Sequence, residues 1–253
     1  LPEFFWLTNY LETVLSAELW KSCTTATIAF EYKRLLTAYA IKTGAPLDFV
    51  AVQGHDFSSR GMSGIYDATQ NGVGHLTSFI GTDAVSAIDY AEEYYDAEDI
   101  VGVSVPATEH SVMCMGSEDN EIETFRRLIT ELYPSGVVSI VSDTWDFWRV
   151  ITEFTVELKD EILARQPNAL GLAKLVFRPD SGDPVKIICG DPEAEMGSPA
   201  YKGAVQCLWE IFGGTETDQG YKVLNERVGL IYGDSITLER ALNIVQRLEA
   251  KGF

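Results

Sequence analysis

The chain opens on two stretches whose apolar residues recur at helical spacing. FFWLTNYLETVLSAELW (4–20) and TIAFEYKRLLTAYAIKTG (27–44) each predict a helix, the second closing on a glycine. A buried strand is expected at 49–52, in LDFVAVQGHDF, followed by a polar turn. Short apolar runs then alternate with amphipathic stretches. Strands are predicted at 76–80 (LTSFI), 102–105 (GVSV), 137–141 (VVSIV), 174–177 (KLVF) and 228–232 (VGLIY). Helices are predicted at 83–95, 121–133, 145–165, 200–212 and 238–251. In the last of these Leu238, Ala241, Leu242, Val245 and Leu248 share one face.

This alternation predicts a parallel sheet with helices outside it, closed as a barrel or open and doubly wound. Right-handed crossovers bring the strand ends to one side, and in both architectures ligands bind at the carboxyl ends of the strands. The segments just past the strands are GHDFSSRG (54–61), GTD (81–83), PATEHS (106–111), SDTWD (142–146), RPDSGDP (178–184) and GDS (233–235). Each holds a carboxylate, and glycine, serine or arginine recurs. Charged loops serving solubility alone would scatter their acids.

Composition narrows the picture. A chain of 253 residues, 46% hydrophobic and 23% charged, has the length and balance to bury a full globular core. No apolar run approaches the roughly 20 residues of a membrane span, and no basic-then-apolar leader opens the chain, so the expected location is the cytoplasm. Cys23, Cys114, Cys189 and Cys207 are scattered without metal-ligand spacing, which predicts reduced structural thiols and no structural metal. A net charge of −19 argues against nucleic acid, whose phosphates need a basic face. A small phosphorylated ligand would instead be held by a few local arginines. The chain starts LPEFF without methionine and stops at RLEAKGF, and we expect it to be a piece of a longer protein.

Candidate chemistry sits at the strand ends. Asp83, Asp143, Asp180 and Asp234 can accept from hydroxyls or offer oxygens to magnesium. Arg60 and Arg178 can clamp phosphate or polarise a carbonyl, with Phe57 as a flat stacking surface beside Arg60. The set suits a phosphorylated sugar with an aromatic partner. Bland readings stand beside it. Taken alone, His110 reads as a hydrogen-bonded structural histidine, and so do His55 and His75. Phe57 alone reads as core, Trp145 and Trp148 as helix packing, AEEYYDAED (91–99) as a solvated helix end, and RPDSGDP as a turn.

Taken in order, LTNYLET, HDFSSRG, FIGTD, SVPATEHS, SIVSDTWD, RPDSGDP and GDS resemble the nicotinamide phosphoribosyltransferase family, from about Leu7 to the end of the chain. The resemblance implies an α/β fold of the type II phosphoribosyltransferase kind. It would be an incomplete parallel α/β barrel over 48–253, preceded by the helical part of a second domain at 1–47. It also implies a homodimer with its site at the barrel mouth. The reaction implied joins nicotinamide and phosphoribosyl pyrophosphate, with magnesium (Mg2+), into nicotinamide mononucleotide and pyrophosphate.

Carried over by position, Phe57 matches the aromatic that stacks on the pyridine ring, and Arg60 a phosphate-binding arginine. Asp83 matches the carboxylate that accepts from the carboxamide NH₂. Ser139 and Arg178 match groups near the amide oxygen, while Ser104, Val105 and Ala107 line the pocket. Asp180, Gly233 and Asp234 match the ribose side. His110 matches the histidine that takes a phosphate from ATP, oriented by Asp143 or Glu109, with Asp143 preferred for its neighbouring strand end. No protein metal ligands are implied. Asp83 favours nicotinamide, because it would repel the carboxylate of nicotinate, and the nicotinate enzymes usually carry serine there.

The resemblance further implies family elements outside the chain. These are an aromatic segment before Leu1, and a glycine-rich phosphate loop with basic residues after Phe253. Residues 1–253 alone are therefore expected to turn over little substrate and to be marginally stable through exposed strand edges. VKIICGDPEAEMGSP (185–199) is expected to be a surface elaboration. Three alternatives remain open: a nicotinate phosphoribosyltransferase, a non-catalytic binding protein descended from the enzyme, and an unrelated barrel hydrolase.

Overall fold

The structure, a computed structural model, describes residues 2–253, and its contacts divide into two compact units, one ending at Ser104 and one spanning Val105–Phe253. In the first unit a helical turn, Pro2–Leu7, leads into α1 (Thr8–Thr43). The two helices predicted at 4–20 and 27–44 are one, because the intervening KSCTTA holds neither glycine nor proline to stop propagation. α1 ends at Gly44, whose φ of 75° is the left-handed cap conformation, and this is the expected terminus.

Two further helices, α2 (Ile65–Leu76) and α3 (Val85–Tyr95), complete the helical part. α2 was not predicted, and its small residues explain how it fits. A Cβ added at Gly74 would lie 2.6 Å from the Ser22 carbonyl oxygen, so the two helices touch almost backbone to backbone. Polar bonds pin the same seam: Ser22 Oγ donates to the Gln70 carbonyl at 3.1 Å, and Thr25 Oγ1 to Asn71 Oδ1 at 2.7 Å.

Two short strands, β1 (His55–Asp56) and β2 (Gly81–Thr82), pair in parallel, and Val103 adds a parallel bridge to Gly81. This differs from expectation. Residues 47–52 form a 3-10 turn, not a strand; 76–80 begin at the last residue of α2, with pairing starting only at Gly81; and 102–105 contribute just the bridge. The physical reason is shared. Val50 and Phe79 are buried apolar residues, but a short apolar run does not distinguish a strand from a buried turn or helix end.

The second unit is built on three parallel strands, β3 (Val138–Val141), β4 (Leu175–Arg178) and β7 (Val228–Leu230), hydrogen-bonded in that order. Between β4 and β7 in the chain, β5 (Gly214–Glu216) and β6 (Lys222–Leu224) form an exposed antiparallel hairpin, which was not predicted. All of β3 is buried, as a strand covered on both faces must be. Helix α4 (His110–Cys114) precedes α5 (Glu121–Arg127), which continues as a wider turn, Leu128–Leu132. Phe125, Ile129, Ile140, Ile151, Leu175, Phe177 and Leu208 form the centre of the core. Each such fully buried side chain is worth about 1.5–3 kcal/mol against exposure.

The helix expected over 145–165 is interrupted at Leu158 (φ −90°, ψ 9°), and that over 200–212 breaks at Gly203, whose φ is 85°. The segment expected at 185–199 as a surface elaboration is one only in part. Pro184–Cys189 is a helix capped by Asp183, with Ile188 and Cys189 buried, and belongs to the core, whereas residues 191–198 are largely exposed. The four cysteines are free, and the chain is an α/β protein with parallel sheets. Among the described residues no helix is long and apolar enough to cross a membrane.

Candidate functional site

In the first unit the strand ends bring Asp83 together with two donors. Asp83 follows β2 directly, and its backbone N–H donates to the Asp56 carbonyl at 3.0 Å, extending the ladder by one step. Ser104, just past the Val103 bridge, donates from Oγ to Asp83 Oδ1 at 2.7 Å. His55 Nε2 lies 2.9 Å from the same oxygen. Phe57 sits two residues on, with its ring centroid 4.4 Å from that of His55. Arg60 is exposed within the turn Ser58–Gly61. The turn is tied down where Asp56 Oδ1 accepts from Ser58 N–H at 2.9 Å and Asn71 Nδ2 donates to Ser58 Oγ at 2.6 Å. His75 is a structural residue, hydrogen-bonded to the Gly81 carbonyl at 3.0 Å; burial lowers its pKa.

In the second unit the ends of β3 and β4 converge on Asp143. Its Oδ1 lies 3.1 Å from His110 Nε2. Its Oδ2 accepts from the backbone N–H groups of Asp180 at 2.9 Å and Ser181 at 2.7 Å, and from the Ser181 hydroxyl. Burial would raise the Asp143 carboxyl, but the Ser181 and Asp180 donors, with His110 nearby, hold it below the usual carboxylate range. His110 itself is the first residue of α4 and half-exposed.

Arg178, the last residue of β4, is buried, and its Nη2 donates to the Thr108 carbonyl at 2.7 Å; Glu109 stands 3.7 Å away. Ser139 lies on β3 beside the Ala107 bridge, with its Oγ buried and lacking a hydrogen-bond partner among the described residues. Val105 and Ala107 are exposed. Burial, with the Asp143 charge adding to it, raises the Asp180 carboxyl despite Arg178. A Cβ on Gly233 would meet Asp180 Oδ1 at 1.9 Å, so the carboxyl can hold this position only while residue 233 has no side chain. Asp234 is exposed and accepts from Ser235 Oγ at 2.8 Å.

Such an arrangement can hold an imidazole in one tautomer and present buried polar atoms at strand ends. Residues 52–253 match the sequence profile of the nicotinate phosphoribosyltransferase (NAPRTase) family. The chain belongs to that family. It is 82% identical, over 99% of its length and 50% of the relative's, to a nicotinamide phosphoribosyltransferase of Acinetobacter baylyi. Nicotinamide phosphoribosyltransferases of Mycoplasma pneumoniae and Xanthomonas campestris pv. campestris are 38% and 34% identical to it, over 100% and 98% of this chain and 52% and 49% of theirs. The chain thus spans about half the length of the curated relatives it matches.

Within this phosphoribosyltransferase-family chain, some contributors escaped sequence reasoning. His55 was set aside as structural, and Ser181 and Thr108 were passed over. Ser181 carried a signal, lying within RPDSGDP at a predicted strand end. His55 lies in GHDFSSRG, at another predicted strand end, but nothing there points to its partner, 28 residues away. Tyr232 is likewise local framework: its hydroxyl donates to the Ser181 and Gly182 carbonyls, and burial first, then the surrounding aspartates, push it up to about 12.

Proposed function

We propose that the full-length protein forms nicotinamide mononucleotide and pyrophosphate from nicotinamide and phosphoribosyl pyrophosphate, within NAD synthesis. The observation that carries this reading is the Asp83 carboxylate, held at a strand end by Ser104 and His55 in a chain that belongs to a phosphoribosyltransferase family. A carboxylate there gains a charge-assisted hydrogen bond from a carboxamide NH₂ and repels a ring carboxylate.

Phe57 stacks on the pyridine, and Arg60 meets phosphate. Ser139 and Arg178 serve the amide oxygen, with Ser104, Val105 and Ala107 as pocket lining; the partnerless hydroxyl of Ser139 supports its part. Asp180, Gly233 and Asp234 face the ribose. The pyridine nitrogen attacks the anomeric carbon as the bond to pyrophosphate breaks, and alignment of the two reactants is the main catalytic contribution. Magnesium, when bound with the phosphates, would supply charge that stabilises the leaving pyrophosphate. The buried, partnerless Asp180 Oδ1 fits an ion held chiefly by substrate oxygens, and no cluster of three or more metal-ligating side chains occurs among the described residues.

His110 takes the γ-phosphoryl group of ATP: a nitrogen–phosphorus bond forms as the β,γ-bridging bond breaks and ADP leaves. Asp143 accepts only, so the Nε2 facing it carries the proton and the lone pair that attacks is on Nδ1. The full-length protein acts as a cytoplasmic homodimer. Incubating the full-length protein with both bases and phosphoribosyl pyrophosphate tests the reading. Nicotinamide mononucleotide should dominate the products; preferential use of nicotinate, or no nucleotide at all, overturns it.

A further inference from the structure

His55 was expected to be a structural histidine, but its surroundings give it a more specific task. The parallel register sets His55 opposite Gly81, two residues before Asp83. A Cβ at Gly81 would lie 2.8 Å from His55 Nδ1, so the absent side chain is what leaves room for the ring beside β2. The Phe57 ring covers the imidazole at 4.4 Å and 31°. Clamped this way, the ring directs Nε2 at Asp83 Oδ1, 2.9 Å away, where Ser104 Oγ also arrives. A carboxylate can only accept, so both neighbours are donors to one oxygen.

Exposure makes the arrangement asymmetric. The His55 side chain is 14% exposed and that of Asp83 46%, so a covered ring anchors a carboxylate that is turned outward. The imidazole can do this while neutral. A lysine or arginine in its place would cancel the charge on which rejection of an anionic ring depends.

We propose that His55 is a positioning residue for base selection: its Nε2–H fixes the Asp83 carboxylate in the orientation that receives a neutral aromatic carboxamide, and its ring ties that carboxylate to the stacking position of Phe57. This rests on the reading of Asp83 as the carboxamide acceptor. His55 touches the acceptor and not the reacting atoms, so its loss acts on recognition and leaves the chemical step in place.

The test uses the full-length protein with two substitutions. His55→Phe keeps a ring against Phe57 and Gly81 but removes the donor; His55→Gln restores an N–H near the Nε2 position. His55→Phe should raise the nicotinamide KM about tenfold, the scale of one lost charge-assisted hydrogen bond, with little change in kcat or in the KM for phosphoribosyl pyrophosphate. It should also narrow the preference for nicotinamide over nicotinate, and His55→Gln should recover most of both effects. In an Asp83→Ala background His55→Phe should add almost nothing, because its effect passes through that carboxylate.

Wild-type KM and base preference in His55→Phe would overturn the proposal, as would an equal penalty in His55→Gln or full additivity with Asp83→Ala. Should His55→Phe fail to fold, His55→Leu takes its place as the variant without a donor: a weakened base preference that His55→Gln recovers upholds the proposal, and a wild-type preference in His55→Leu overturns it. If Asp83→Ala itself leaves nicotinamide use intact, the pocket reading fails and the proposal with it. A penalty in Asp83→Ala with none in His55→Phe sinks the proposal only.

Discussion

Asp143 divides its two oxygens between different partners: Oδ1 faces His110 Nε2 at 3.1 Å, while Oδ2 collects three donors from Asp180 and Ser181. The carboxylate is fixed by the loop after β4, and it fixes the imidazole in turn. In the full-length protein, Asp143→Asn should lower ATP-driven phosphorylation of His110 by about 100-fold, the scale of a misoriented acid–base partner. Quenched-flow labelling with γ-labelled ATP measures it. An unchanged rate would remove Asp143 from the mechanism.

Gly233 is a second position where one atom matters. A methyl group there meets the Asp180 Oδ1 at 1.9 Å, and that oxygen is the movable end of a side chain rather than backbone. Gly233→Ala should therefore swing the carboxyl aside with little change in thermal stability. If Asp180 serves the ribose, the KM for phosphoribosyl pyrophosphate rises about tenfold or more, while that for nicotinamide holds. A melting curve and two saturation curves check it; a large loss of stability would show that Asp180 cannot give way.

The contrast between the units shows what the sequence can display. VVSIV and KLVF are strands within a residue of expectation, because β-branched and aliphatic runs buried on both faces have few other uses. LDFV and LTSFI are equally apolar, yet they close a turn and a helix end, with pairing delayed to His55 and Gly81. Apolar content alone settles neither burial nor backbone conformation: Val50 and Phe79 are buried, whereas Leu47 and Phe49 of LDFV are exposed. At the site, the strand-end rule led to Asp83, Asp143 and Asp180. It also reached His55, in GHDFSSRG, but not its partnership, which depends on the register of two strands and on the missing side chain of Gly81.

Asp180 and Asp143 respond oppositely to pH. Burial raises the folded-state Asp180 carboxyl above its unfolded value, so ionising it opposes folding at neutral pH; that opposition vanishes once the pH is low enough to protonate it in both states. Asp143 is depressed in the fold, so its contribution is present above the unfolded value and is lost as pH falls through the folded one. Asp180→Asn should accordingly raise the melting temperature near pH 7–8 by about 2–4 °C, with the gain fading toward acid. Differential scanning calorimetry of the full-length protein across pH checks this; a gain that persists at pH 3 would locate its origin elsewhere.

The seam between α1 and α2 gives the most direct stability test. At Gly74 an added methyl group would stand 2.6 Å from the Ser22 carbonyl oxygen and 3.0 Å from the Ala26 nitrogen, and neither is the end of a flexible chain. Relief requires the helices to part, which would stretch the Ser22–Gln70 and Thr25–Asn71 bonds as well. Gly74 lies inside a helix, where alanine is intrinsically better by about 1 kcal/mol, and that gain opposes the clash. Overpacking costs about 1–3 kcal/mol, and a clash with backbone that cannot give way belongs at the upper end, so the net effect of Gly74→Ala is a loss of about 1–2 kcal/mol. Urea unfolding of the full-length protein, read by tryptophan fluorescence, measures it. A variant as stable as the parent would mean that the helices approach less closely than the Gly74–Ser22 contact requires.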